Sequence, residues 1–297
     1  FYLYLLLRSF FSEDILYSLQ GCLFYFRYLF FSLGVLYLFN NVSNLARNLG
    51  LSIFFTLIIV GLDGYYQWFF GENIFGWTLD NPDRLAGFFK EEKILGGYLA
   101  RLTPVCIALL IYSLKLDKFK MLYGFLFLIY VEILTFGSGE RSAVLFLTFF
   151  SIIVIILSNN FKVFGLVKSI FSIFIISIVI LYVPISNQKV KHTINQISSN
   201  KLVAFAPYSP LHEEHYIVGL KMFKDNPLFG QAPNMFDMLC QKKEFNYKRG
   251  CTNHPHNSYI QLLAETGIIG FVFLFFAFFV TSFILFKQFL GKIKILN

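Results

Sequence analysis

Three stretches of this chain hold the residue types that can do chemistry. The richest runs from Cys251 to Gly270, CTNHPHNSYIQLLAETGIIG. His256 brings an imidazole that can take a proton near neutral pH. Gln261 and Glu265 stand four residues apart, which places them on one face of a helix. Polar groups this early in an apolar run usually face a bundle interior or a cavity. Helix capping by Asn257 or Ser258, with Tyr259 at an interface, is the plainer account. It covers those three residues but not His256, Gln261 and Glu265 together.

The second stretch is GSGERSA, Gly137 to Ala143, a very short turn between two apolar runs. Arg141, with the free N–H groups opening the next helix, can grip a phosphate, and the glycines let backbone approach closely. A Glu140–Arg141 turn that merely faces water fits the same residues. The third is DNPDRLAGFF, Asp80 to Phe89. Its Arg84 reads either as an anion clamp or as an arginine snorkelling to headgroups.

The elements that must position these groups are legible from composition. Of the 297 residues, 57 % are hydrophobic, 20 % aromatic and 14 % charged, with 40 Phe. The mean hydropathy is +0.64. Soluble domains carry about 25 % charged residues. This composition excludes disorder, collagen-like repeats and a small disulfide scaffold, and it is not that of an ordinary soluble enzyme. Seven apolar runs approach the ~20 residues of a spanning helix, at roughly 15–39, 49–70, 94–114, 121–137, 142–158, 166–184 and 258–286. They are continuous rather than alternating, so helices are expected and a barrel is not. The opening FYLYLLL reads as the tail of an apolar segment, and a longer protein with an N-terminal part missing here is the expectation.

Basic residues orient these spans. Arg47 falls before the second span. Lys115, Lys118 and Lys120, then Lys162 and Lys168, then Lys287, Lys292 and Lys294 fall on the same side, which the positive-inside rule makes cytoplasmic. The other side then holds 8–14, 71–93, the turn 138–141 and a long polar segment, 185–257. A helix near 213–224, stopped at Asn226-Pro227, is expected there. The net charge of +8 fits this lysine bias, and no nucleic-acid partner is inferred from it.

All five histidines, His192, His212, His215, His254 and His256, lie in 185–257. Their spacing with Cys251 allows a zinc reading. His212-Glu213-Glu214-His215 is not a zinc-protease pattern, however, and no regular Cys-x-x-Cys pair occurs. Neither a metal nor any other cofactor is expected. Cys22 and Cys106 fall in spans and read as packing residues.

The GERSA turn and the run HPHNSYIQLLAETGIIGF resemble the O-antigen ligase and polymerase superfamily. Asp225-Asn226-Pro227-Leu228-Phe229-Gly230 resembles that family's Pro-Leu-x-Gly element, and the Arg84 region its earlier outer-loop motif. The resemblance covers roughly residues 80–275. It implies an all-α, GT-C-like polytopic bundle in a bacterial inner membrane, one membrane domain with 185–257 as a large periplasmic loop. It also implies a metal-independent, inverting glycosyltransferase. The donor would be a glycan on undecaprenyl diphosphate, and the acceptor a hydroxyl on lipid A core (ligase) or on another lipid-linked glycan (polymerase). Arg84 and Arg141 would hold the diphosphate and His256 would serve as base. Asn257, Tyr259, Gln261 and Glu265 would meet substrate. In a periplasmic loop, Cys240 and Cys251 are expected to form a disulfide just before the His-Asn run. A transporter or flippase of lipid-linked sugars is the rival from another class. It would want ionisable residues in mid-membrane, where Asp63, Arg101 and Glu132 are the main ones. A non-catalytic assembly subunit is the third reading.

Overall fold

A computed structural model describes residues 1–78, 84–114, 118–157, 162–182, 191, 194–195 and 210–296. Asp80, Asn81, Pro82, Asp83, Lys115, His192 and nearly all of 185–209 lie outside the described residues. The described elements are helices: α1 (Tyr2–Ser9), α2 (Ile15–Cys22), α3 (Phe26–Asn41), α4 (Leu45–Phe70), α5 (Leu95–Ser113), α6 (Lys118–Gly137), α7 (Arg141–Leu157), α8 (Lys162–Tyr182), α9 (Pro210–Asp225), α10 (Phe236–Leu239) and α11 (Ser258–Leu296). A single bridge, Glu72 to Thr78, is the one β-type pairing among the described residues.

Four segments are long and apolar enough to cross a membrane: Ile15–Asn41, Leu45–Phe70, Leu95–Ser113 and Ser258–Gln288. Three further apolar helices are shorter, Leu122–Gly137, Arg141–Ile153 and Gly165–Ile178. Phe273, Phe276, Phe278 and Phe283 all stand more than half exposed on α11. A helix in water buries such side chains, whereas hydrocarbon solvates them. The protein is therefore a polytopic, all-α membrane protein. Several basic residues read as loop lie inside helices instead. Arg47 is in the first turn of α4, and Lys162 opens α8.

The chain divides into two compact units, Leu36–Asn195 and Phe1–Val35 with Gln196–Asn297. In the first, α4 to α7 pack around Leu57, Leu95, Leu99, Val131, Leu134 and Leu147, and α8 lies against α6 and α7. Glu132 ties three of these helices together, accepting from Ser151 Oγ of α7 at 2.9 Å and Ser172 Oγ of α8 at 2.6 Å. In the second unit, Val218, Met222, Met235, Phe236, Leu239 and Phe245 form a small core against Ala264 of α11. The α9 helix begins on Pro210, whose missing N–H is no loss there, and Glu213 in its first turn and Lys224 in its last match the helix dipole. It stops at Asp225, before Asn226-Pro227.

Candidate functional site

In the second unit, His256 sits at a left-handed backbone, φ +53°. A histidine there carries strain of about 1–3 kcal/mol, which surrounding structure must hold. What holds it is clear on both sides. After it, Asn257 Oδ1 accepts from the N–H groups of Tyr259 (3.0 Å) and Ile260 (3.2 Å), capping α11. Before it, Cys251 is bonded to Cys240, with Cα atoms 5.0 Å apart. Gly250 O meets His215 Nδ1 at 3.0 Å.

Around His256 stand three more imidazoles. Ring centroids lie at 4.3 Å for His254, 5.3 Å for His212 and 5.4 Å for His215. Partial desolvation, and then the proximity of His254, His212 and His215, lower the His256 pKa from its ordinary 6.5. The neutral ring, which can accept a proton, is thereby favoured at pH 7. Among the described residues no group of three or more His, Cys, Asp or Glu side chains converges to hold a metal ion.

The start of α11 is not one continuous helix. Gly267, at φ +63° and ψ −168°, breaks it. The segment 227–232 lies along the break and supplies the missing partners. Ile268 N–H donates to Pro227 O (2.9 Å) and Ile269 N–H to Leu228 O (3.3 Å). Gln231 N–H donates to Ala264 O (2.8 Å) and Ala232 N–H to Glu265 O (2.9 Å). A Cβ on Gly267 would collide with Leu228 O, and one on Gly230 with the Glu265 backbone. The Pro-Leu-x-Gly element is thus a backbone strap across a helix break. Arg8 locks its outer edge, donating to Phe229 O (3.1 Å) and Gly230 O (2.6 Å). Glu265, 8 % exposed, is turned toward the residues that follow this strap rather than outward. It meets the backbone of Asn234 and Phe236, and Gln261 Nε2 donates to it at 3.3 Å. Tyr259 is 64 % exposed.

The first unit gathers arginines at one end. The Glu140 carboxylate of the GERSA turn accepts from Gly96 N–H (2.7 Å) and Gly97 N–H (2.9 Å), capping α5. Burial pushes the Glu140 carboxyl up from its ordinary value, opposed by these two amides and by the charges of Arg84 and Arg101. Arg84, Arg101 and Arg141 are all exposed. The turn therefore brings Arg84 and Arg141 into one neighbourhood, and it adds Arg101. Arg101, read from the sequence as a mid-membrane charge, instead lies close enough to Glu140 to act on its carboxyl. The loop carrying Arg84 rests on Asp63 and Gln67, residues buried in α4. Asp63 Oδ1 accepts from Ile74 N–H at 2.9 Å, so this side chain serves as a loop anchor. The Glu132 bonds to two serines are also structural, so the transport reading draws no support from either acid.

Fold and site define a class: a multi-pass helical membrane protein with an arginine-rich end in one unit and a strained histidine in the other. The family model described as O-antigen ligase (Wzy_C) matches residues 125–275, just over half of the chain, and the chain belongs to that family. Its members are membrane glycosyltransferases of the O-antigen ligase and polymerase type, acting on lipid-linked glycans. The match includes Arg141 and His256, while Arg84 precedes it. No curated protein and no solved structure matches the chain.

Proposed function

We propose that this protein is an O-antigen ligase, moving a glycan from undecaprenyl diphosphate to a hydroxyl of lipid A core at the periplasmic face of the inner membrane. The observation that carries this reading is His256, held in a strained backbone among three imidazoles and favoured in its neutral form. The acceptor oxygen attacks the anomeric carbon as its proton passes to the His256 imidazole. The bond from that carbon to the diphosphate oxygen breaks, and the diphosphate keeps the electron pair. One displacement from the opposite face inverts the centre. Charge develops on the leaving diphosphate, where fixed guanidinium groups stabilise it. Arg141 and Arg84 take that role, which needs no metal ion. Tyr259 and Gln261 belong to the acceptor side. Asn257 and Glu265 act there by fixing the start of α11.

The test is glycan transfer by the full-length protein with undecaprenyl-diphosphate oligosaccharide, with and without lipid A core, in EDTA. Product that requires lipid A core is expected, together with loss of about 10²-fold or more in His256→Ala and Arg141→Ala. Longer lipid-linked glycan without lipid A core would replace ligase by polymerase. Wild-type product from both variants would remove the mechanism.

A further inference from the structure

Arg84 stands at the surface, yet the chain that follows it is anchored deep in the first unit. Leu85 is 3 % exposed and packs in the core of that unit, and Ala86 and Gly87 are buried. One side-chain atom holds both amides that follow. Gln67 Oε1 accepts from Ala86 N–H at 3.0 Å and from Gly87 N–H at 2.8 Å. The other end of the same amide, Gln67 Nε2, donates to Trp77 O at 3.2 Å. Gln67 thus clamps the segments 72–78 and 84–89 to each other and to α4. Asn73 completes the clamp, donating to Gly87 O at 3.3 Å and accepting from Phe75 N–H (3.0 Å) and Trp77 N–H (2.9 Å). Asp63, one helical turn before Gln67, receives the Ile74 amide. Asp63, Gln67 and Asn73 are 0–1 % exposed.

Buried polar side chains in a membrane helix are expensive and persist where they have work. All three here place hydrogen bonds on the backbone of these segments, and Asn73 Nδ2 also reaches Asp63 Oδ2 at 3.4 Å. An arginine that stabilises a leaving group must be held to a fraction of an ångström, and a misplacement of about 1 Å can cost 10²-fold in rate. We infer that Gln67, supported by Asn73 and Asp63, is the positioning residue for Arg84, fixing its guanidinium on the diphosphate of the lipid-linked donor. This rests on the reading that Arg84 binds that diphosphate.

The experiment is a double-mutant cycle on the full chain in nanodiscs, with undecaprenyl diphosphate itself as ligand and its Kd as the readout. Apparent Kd scales inversely with the folded fraction, so each variant's folded fraction is measured by thermal unfolding and its Kd is read at a temperature where that variant is fully folded. Arg84→Ala should weaken binding about 10-fold, as for one lost charge-assisted contact. Gln67→Leu should weaken it about 5- to 10-fold. The double variant should be within about 2-fold of Arg84→Ala, since Gln67 acts only through that side chain. Asn73→Ala, run in the same cycle, should behave likewise and serves where Gln67→Leu fails to accumulate. Wild-type affinity in both Gln67→Leu and Asn73→Ala, or full additivity with Arg84→Ala, would overturn the inference and leave the Arg84 assignment standing. Wild-type affinity in Arg84→Ala would take down both.

Discussion

Replacing Gly267 by alanine tests whether the strap and the helix break are one structure. Gly267 sits at φ +63° and ψ −168°. That region is essentially closed to residues with a Cβ, at a cost of about 1–3 kcal/mol. The added methyl would also meet Leu228 O. Relieving that clash moves the strap off the helix, which puts the Ile268 to Pro227 and Ile269 to Leu228 bonds at risk. Each such bond is worth about 0.5–1.5 kcal/mol net. Strain and bonds together give a loss of about 2–6 kcal/mol. Alanine's better helix propensity offsets less than about 1 kcal/mol of it. The assay is thermal unfolding in detergent with hydrogen exchange at the Ile268 and Ile269 amides. The midpoint should drop by at least about 2 °C and both amides should exchange faster. Gly34→Ala is the control, because a Cβ there meets nothing within 4 Å. If Gly267→Ala unfolds and exchanges like Gly34→Ala, the account of the strap is wrong.

Four other outcomes are expected. The pH profile of kcat/KM should have its acid limb below 6.5, because the His256 value is lowered from there. His254→Ala or His212→Ala should move that limb up toward 6.5, and an unmoved limb would contradict the role of the cluster. The stability that His256 contributes has the same sign. It is complete above the unfolded value near 6.5 and is lost as pH falls through the lower folded value, so acid unfolding should begin earlier in the wild type than in His256→Gln. Cys240→Ser should cost about 2–3 kcal/mol, since the bridge closes a loop with a sequence separation of 11. Limited proteolysis of 241–250 with and without reductant reads this, and equal cleavage rates would refute it. Glu140→Ala should lower the thermal midpoint by removing two charge-assisted caps of α5, worth about 1.5–3 kcal/mol each. Glu140→Gln should recover part of that loss through its remaining carbonyl.

Composition and run length alone determined that this is an all-α membrane protein, because lipid forces apolar faces outward and backbone bonds inward. The HPHNSYIQ run and the GERSA turn were legible for a similar reason, since they interrupt apolar sequence with groups that are costly there. Asn257 as helix cap, the stop of α9 at Asn226-Pro227 and the pairing of Gln261 with Glu265 follow from contacts one to four residues apart, which a sequence carries in its spacing. Tertiary structure decided the rest. Asp63 looked like a lone mid-membrane charge, and only folding brings Asn73 and Ile74 to it. Glu140 looked like half of a water-facing turn until Gly96 and Gly97, more than 40 residues away, took its carboxylate. Gly267 falls inside the apolar run 258–286, and the strap that requires it comes from Pro227 to Ala232. Each of these depends on a backbone N–H or carbonyl as partner. Every residue carries those groups, so the sequence cannot mark which one will be used, and only the packed chain selects it.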